Sequence, residues 1–183
     1  MHKIFFVTTN RHKIAEARAL LRGIAQIEQV DMTYPELQDE LEVVASFGAG
    51  FSAATLRKEV MVEDSGLFID ALGGFPGPYS SYVFRKIGNE GILKLMGGVK
   101  KRDAAFKSVV AFCRPDGAPI LFTGTVQGKI AKEIRGAGGF GYDPLFLYRG
   151  MTFGEASTAD KNAVSHRGKA LRKFAKWAVK TTR

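Results

Sequence analysis

The sequence predicts an α/β protein built on a mixed β-sheet. Three observations carry that prediction. A β-prone apolar run opens the chain, helical periodicity follows it at once, and two later apolar runs flank a tight turn. Strand–helix alternation calls for parallel neighbours, whereas a hairpin calls for antiparallel ones, so the sheet holds both.

The elements follow in order. Ile4 to Val7 is continuous and apolar, as a strand buried on both faces requires. After Thr8-Thr9-Asn10, the positions Ile14, Ala17, Leu21 and Ile24 recur at helical spacing, and Gly23 stands where such a helix stops. Gln26 to Val30 returns as a second strand. Leu41 to Leu56 reads as a helix despite Gly48 and Gly50. Val60-Met61-Val62 is a short strand ending in Glu63-Asp64-Ser65-Gly66. The turn cluster Gly73-Gly74-Phe75-Pro76-Gly77-Pro78 reads as a loop rather than a hinge, because both its flanks are apolar and short. Residues 1–183 are therefore expected to form a single domain. Ala104 to Cys113 and Ile120 to Ile130 are strands joined through Arg114-Pro115-Asp116-Gly117. Leu145 to Tyr148 is a further strand. From Ser165 onward, Ala170, Leu171, Phe174, Trp177 and Ala178 mark an amphipathic closing helix.

Composition excludes several classes. With 183 residues, 45 % of them hydrophobic, the chain can bury a sizeable core. Cys113 is the only cysteine, so no disulfide forms within the chain, as suits a reducing compartment. No apolar stretch has the length of a signal peptide core or a membrane helix, and a cytoplasmic location without membrane association is expected. The net charge of +9 favours an anionic partner without naming it. Much of the excess sits in Lys169, Arg172, Lys173, Lys176, Lys180 and Arg183, where cations suit the negative end of a helix dipole.

Two helix starts break the dipole rule. First turns favour acidic residues, yet Arg11, His12 and Lys13 follow Asn10, and His166 and Arg167 follow Ser165. Each group could simply be solvated. Together they point to an anion at these helix ends, where free N–H groups already attract phosphate. No Walker pattern is present. Gly136 to Gly141 does match G-x-G-x-x-G, but Tyr142-Asp143-Pro144 follows it instead of a helix, so a dinucleotide fold is rejected. Those glycines suit a tight loop with close backbone approach to a ligand. Glu63 and Asp64 at a strand end, with Glu36 after Tyr34-Pro35, offer hard oxygen donors of the kind magnesium takes beside phosphates. Either strand-end acid alone would ordinarily be a surface residue. Zinc is not expected, because His2, His12, His166 and Cys113 lack ligand spacing.

Four segments together resemble the inosine triphosphate pyrophosphatase family, also described as XTP/dITP diphosphatases. They are Thr8-Thr9-Asn10-Arg11-His12-Lys13 with Glu16; Glu63-Asp64-Ser65-Gly66-Leu67 running on through Gly73 to Ser80; Gly139 to Phe146; and Thr152 to Glu155 with Lys161-Asn162 and Ser165 to Leu171. Their order and span cover nearly the whole chain. Gly48-Ala49, where many bacterial members carry Lys-Ala, resembles archaeal-type members, and Thr9 stands where relatives often have glycine.

The resemblance implies an elongated mixed sheet with flanking helices, two lobes around a nucleotide cleft, and a homodimer. It also implies Mg2+-dependent release of pyrophosphate from ITP, dITP and XTP. Glu36 and Asp64 would hold the metal, and Asp64 would accept the proton of the attacking water, with Lys13 also in the catalytic set. Thr8, Thr9, Asn10, Arg11, His12, Lys13, Ser65, Lys161, His166 and Arg167 would contact the nucleotide, and Phe140, Gly141, Tyr142 and Asp143 would lie against the base. Phe140 and Tyr142 could frame the purine or belong to the core, and His166 and Arg167 could serve base or phosphate. Two other classes compete: a pyrophosphatase of pyrimidine triphosphates, which would prefer dTTP or UTP, and a basic nucleic-acid-binding module. Nucleic acid is not the expected partner, because the acidic residues among the phosphate-binding segments would be unexplained.

Overall fold

The computed structural model describes residues 2–35 and 37–181. Glu36, expected to hold the metal, lies outside the described residues. The elements run β1 (His2–Val7), α1 (Arg11–Leu20), β2 (Ala25–Val30), α2 (Leu41–Leu56), β3 (Val60–Ile69), a 3-10 turn (Asp70–Leu72), β4 (Pro76–Gly77), α3 (Ser80–Leu95), β5 (Asp103–Cys113), β6 (Ile120–Ile130), β7 (Phe146–Tyr148), β8 (Met151–Thr152), α4 (Thr158–Val164) and α5 (His166–Thr181). The strands join in the order β2-β1-β3-β5-β6-β7-β8, with β4 beside β3. β1 pairs in parallel with both β2 and β3, while β3–β4, β6–β7 and β7–β8 are antiparallel. The sheet is mixed, as the alternation and the hairpin require. No helix of the described residues is long and apolar enough to cross a membrane.

The chain folds as two compact units. The first takes the residues up to Asp64, Ser108–Gly124 and those from Arg167 onward; the second takes Ser65–Lys107 and Thr125–His166. In the first, Ile14 and Ala17 of α1 and Leu21 just past its end pack with Leu171 and Phe174 of α5 against Ile4, Phe6, Met61 and Phe112 of the strands. Both helix stripes were set by their 3.6-residue period. In the second, Leu67, Ile69, Val83, Ile92, Phe106, Phe146 and Phe153 form a separate core.

One expectation is corrected. β3 does not stop before Glu63 but runs to Ile69. Its first half pairs with β1 and its far end with β4, through Leu67–Gly77 and Phe68–Pro76, so Asp64 and Ser65 stand inside a strand instead of at its end. The segment Ser80–Leu95, for which no element is assigned from the sequence, is a helix broken at Gly88.

Arg102 closes the second unit from an exposed-looking Lys-Lys-Arg stretch. Its guanidinium donates to the carbonyls of Met96 (2.9 Å), Ile130 (2.8 Å) and Ala131 (2.8 Å), joining the end of α3 to the end of β6. Arg102→Ala leaves three acceptors to water, and a loss of about 2–3 kcal/mol in unfolding free energy is expected. Urea denaturation measures it; a change below about 0.5 kcal/mol would show that water replaces the guanidinium at no cost.

Candidate active site

In the first unit, the Thr8–Lys13 segment turns from β1 into α1. Thr8 Oγ1 accepts from Asn10 N (3.1 Å), and Asn10 Oδ1 caps the helix by accepting from His12 N (2.9 Å) and Lys13 N (3.3 Å). Part of the anion-attracting helix end is therefore satisfied by Asn10 itself. Thr9, Arg11 and His12 remain exposed. Lys13 does not project into solvent. Its ammonium donates to the Glu63 carbonyl at 2.9 Å and pairs with Glu63 Oε2 at 2.8 Å.

Glu63 is the hub of a buried ionic cluster. Its Oε1 accepts from Ser108 Oγ (2.6 Å) and lies 3.1 Å from Arg167 Nε. Arg167 Nη1 in turn donates to Glu16 Oε2 at 2.7 Å. Glu16, Glu63 and Arg167 are 7, 5 and 2 % exposed. Burial alone would push the Glu63 carboxyl up, but Arg167 and Lys13 outweigh it and hold it well below the usual carboxylate range. Burial likewise opposes the Arg167 cation, and its two carboxylate partners more than restore it. Of the side chains at the two helix starts, Lys13 and Arg167 thus share one carboxylate of the protein's own, Glu63. Glu16 and Ser108 were not singled out as functional residues by sequence reasoning; Glu16 had only the spacing of the first motif to mark it.

The cluster also divides the acidic pair. Both Glu63 oxygens face cations or a hydroxyl, so Glu63 is an internal counter-ion and no cation ligand. Asp64, next along β3, is half-buried. Among the described residues, no three His, Cys, Asp or Glu side chains converge on one point. Magnesium commonly takes one or two carboxylates with substrate phosphates and water, so it does not require such a cluster of three.

In the second unit, Asp143 is the organiser. It is 2 % exposed, and its Oδ2 accepts from Lys161 Nζ (2.7 Å) and from the Phe140 N–H (2.7 Å). Gly139, at φ 69°, must be glycine, because a Cβ there would collide with the Asp143 carboxylate. The close approach expected of this glycine loop is made to Asp143. Lys161 Nζ also stands 4.6 Å from the Phe140 ring centroid. Phe140 keeps a half-exposed ring, whereas Tyr142 belongs to the core. The Tyr142 hydroxyl donates to the Ser80 carbonyl (3.3 Å), and burial raises its ionisation far out of reach. His166 is buried with its ring stacked on Phe106, centroids 4.6 Å apart. Ser65 is half-buried in β3, immediately after Asp64.

Known proteins share this architecture. The Ham1 family model matches residues 4–177. A protein of Methanosarcina mazei named dITP/XTP pyrophosphatase is 55 % identical over 182 residues, covering 98 % of each chain. One of the same name from Methanopyrus kandleri is 54 % identical over 179 residues, with 96 % of this chain and 95 % of that one covered. Among solved structures, the Ham1 protein of Staphylococcus aureus superposes with a TM-score of 0.88 at 28 % identity, over 99 % of this chain and 100 % of that one. The Ham1 protein of Coxiella burnetii gives 0.87 at 30 %, over 98 % and 100 %. With family match, full-length relatives and fold in agreement, the chain belongs to the Ham1 family.

Proposed function

We propose that this protein hydrolyses dITP, ITP and XTP to the nucleoside monophosphate and pyrophosphate, with magnesium, and so clears non-standard purines from the nucleotide pool. It is a nucleoside triphosphate pyrophosphatase. The observation that carries the base selectivity is the buried Lys161 ammonium, fixed by Asp143 beside the half-exposed Phe140 ring. Hypoxanthine and xanthine present a 6-oxo acceptor to such a donor, and adenine presents an amino donor. A fixed donor meeting a donor leaves both unpaired, which discriminates by a few kcal/mol. Phe140 supplies the face for the purine, with Gly141 and Asp143 shaping the wall around it. Tyr142 backs that wall from the core, and His166 reaches the base side.

Residues of the first unit carry the phosphate chemistry. Exposed Arg11 and His12, with the Thr8–Asn10 turn and Ser65, meet the triphosphate, helped by the positive end of α1. Lys13 and Arg167 are neutralised by Glu63 and Glu16, so their first task is to hold Asp64 in place along β3. Asp64 takes the proton of a water that attacks the α-phosphorus in line. The bond from that phosphorus to the bridging oxygen breaks, and pyrophosphate leaves. Magnesium, held by Asp64 and Glu36, supplies charge neutralisation for the triphosphate when bound. The enzyme works in the cytoplasm as a homodimer.

Pyrophosphate release from ITP, dITP, XTP, ATP, GTP and dTTP, with magnesium and with EDTA, tests the reading. Fast release confined to the first three, and abolished by EDTA, is the expected result. Comparable turnover of ATP would remove the selectivity, faster turnover of dTTP would move the enzyme to pyrimidines, and inactivity throughout would overturn the activity.

A further inference from the structure

α3 is not one continuous helix. Gly88 adopts φ 58° and ψ −162°, a region open essentially to glycine alone. A Cβ built there would meet nothing within 4 Å, so the requirement is purely one of backbone conformation. The break changes which side chains share a face. At 3.6 residues per turn, Asn89 in an unbroken helix would lie about 140° around from Phe84. Both side chains nevertheless meet loop 139–143, as does the Ser80 carbonyl. The Ser80 carbonyl accepts from the Tyr142 hydroxyl at 3.3 Å, Phe84 sits edge-on to the Tyr142 ring at 5.1 Å, and Asn89 Nδ2 donates to the Gly141 carbonyl at 3.2 Å. The break at Gly88 is what turns Asn89 onto the loop-facing side.

The cost of this arrangement is visible at the other end of the amide. Asn89 Oδ1 is buried with no hydrogen-bond partner among the described residues. The Gly141 carbonyl dictates this orientation, since it accepts only from the NH2 end. Gly141 itself stands at φ 62° with open space where a Cβ would be, so no Cβ contact of its own holds it. The Asn89 amide is a side-chain restraint on its carbonyl, one residue from Phe140 and two from Asp143.

We propose that Asn89 is a positioning residue for purine recognition, delivered by the Gly88 break: it fixes the Gly141 peptide and thereby the angle at which Phe140 is presented beside Lys161. The inference rests on the reading of loop 139–143 as the wall of the nucleobase site. A restraint of this kind acts on binding and not on the proton transfer at Asp64, so it separates KM from kcat.

Asn89→Asp keeps the shape and removes the donor, and Asn89→Ala removes both. In each, KM for dITP is expected to rise about tenfold, the scale of one lost hydrogen bond, with kcat within about twofold of wild type. Equilibrium dialysis with dIMP in EDTA should show the same weakening, and hydrogen exchange of amides 139–143 should quicken in the unliganded protein. Gly88→Ala, which opposes the break, should reproduce the KM effect, and adding Asn89→Ala to it should bring little more. Unchanged KM and dIMP affinity in both Asn89 variants would overturn the proposal, as would a fall in kcat and melting temperature with KM unchanged. If the wild type neither turns over dITP nor binds dIMP, the nucleobase reading itself falls and the proposal with it. If Gly88→Ala fails to fold, the two Asn89 variants still decide.

Discussion

Asp64→Asn should fold like the wild type and lose about 10³-fold or more in kcat on dITP. A general base contributes about 10²–10⁴-fold, and the same carboxylate is proposed to hold the metal, so both effects fall together. The fold should tolerate the change because Asp64 is half-buried and asparagine keeps its shape and volume. Its neighbour gives the contrast. Glu63→Gln would unbalance Lys13 and Arg167 and lower stability as well as activity, whereas Asp64→Asn should leave the melting temperature within about 2 °C. Steady-state pyrophosphate release and circular dichroism settle both halves. A wild-type kcat would remove Asp64 from the mechanism, and an unfolded variant would move it from chemistry to structure.

How far the sequence speaks depends on whether the determinant is local. α2 occupies Leu41–Leu56 and β6 occupies Ile120–Ile130, where periodicity and flanking turns place them. β3 is different. Glu63-Asp64-Ser65 reads as a strand's polar end, and it continues as strand because partners remote in sequence neutralise it: Ser108 45 positions away and Lys13 50 positions away. No window of neighbouring residues contains that information. α3 was hidden for a local reason, since Gly88 and Gly91 interrupt its period. Motif spacing singled out Lys13, Asp64, Lys161, His166 and Arg167 as candidates. Their pairing was illegible, because a cation with a free guanidinium and one locked between two carboxylates have the same letter. At the starts of α1 and α5, where the dipole rule is broken, Lys13 and Arg167 share one internal carboxylate, Glu63.

Arg167→Met tests that anion directly, and it should be the most destabilising of the substitutions considered. The side chain is nearly isosteric along its stem, so packing against α1 changes little. What changes is charge. Glu16 and Glu63 stay buried at 7 and 5 % exposure with their shared cation gone. Removing one partner of a buried ion pair costs about 3–5 kcal/mol, a large part of the roughly 5–15 kcal/mol that holds a domain folded. The pH dependence identifies the cause. In the wild type, the Glu63 carboxyl is held well below its ordinary range, chiefly by Arg167 against the penalty of burial. The stability this contributes is present at neutral pH and is lost as the pH falls below the ordinary carboxylate range through the folded-state value. Without Arg167, burial raises the carboxyl, so the folded variant takes up a proton at a pH where the wild type does not. Its deficit should therefore be largest near pH 7 and shrink towards pH 5. Urea unfolding of both proteins at the two pH values reads the difference. A deficit that stays constant with pH would assign the loss to packing, and no deficit at all would show that Lys13 and Ser108 suffice to hold Glu63 charged.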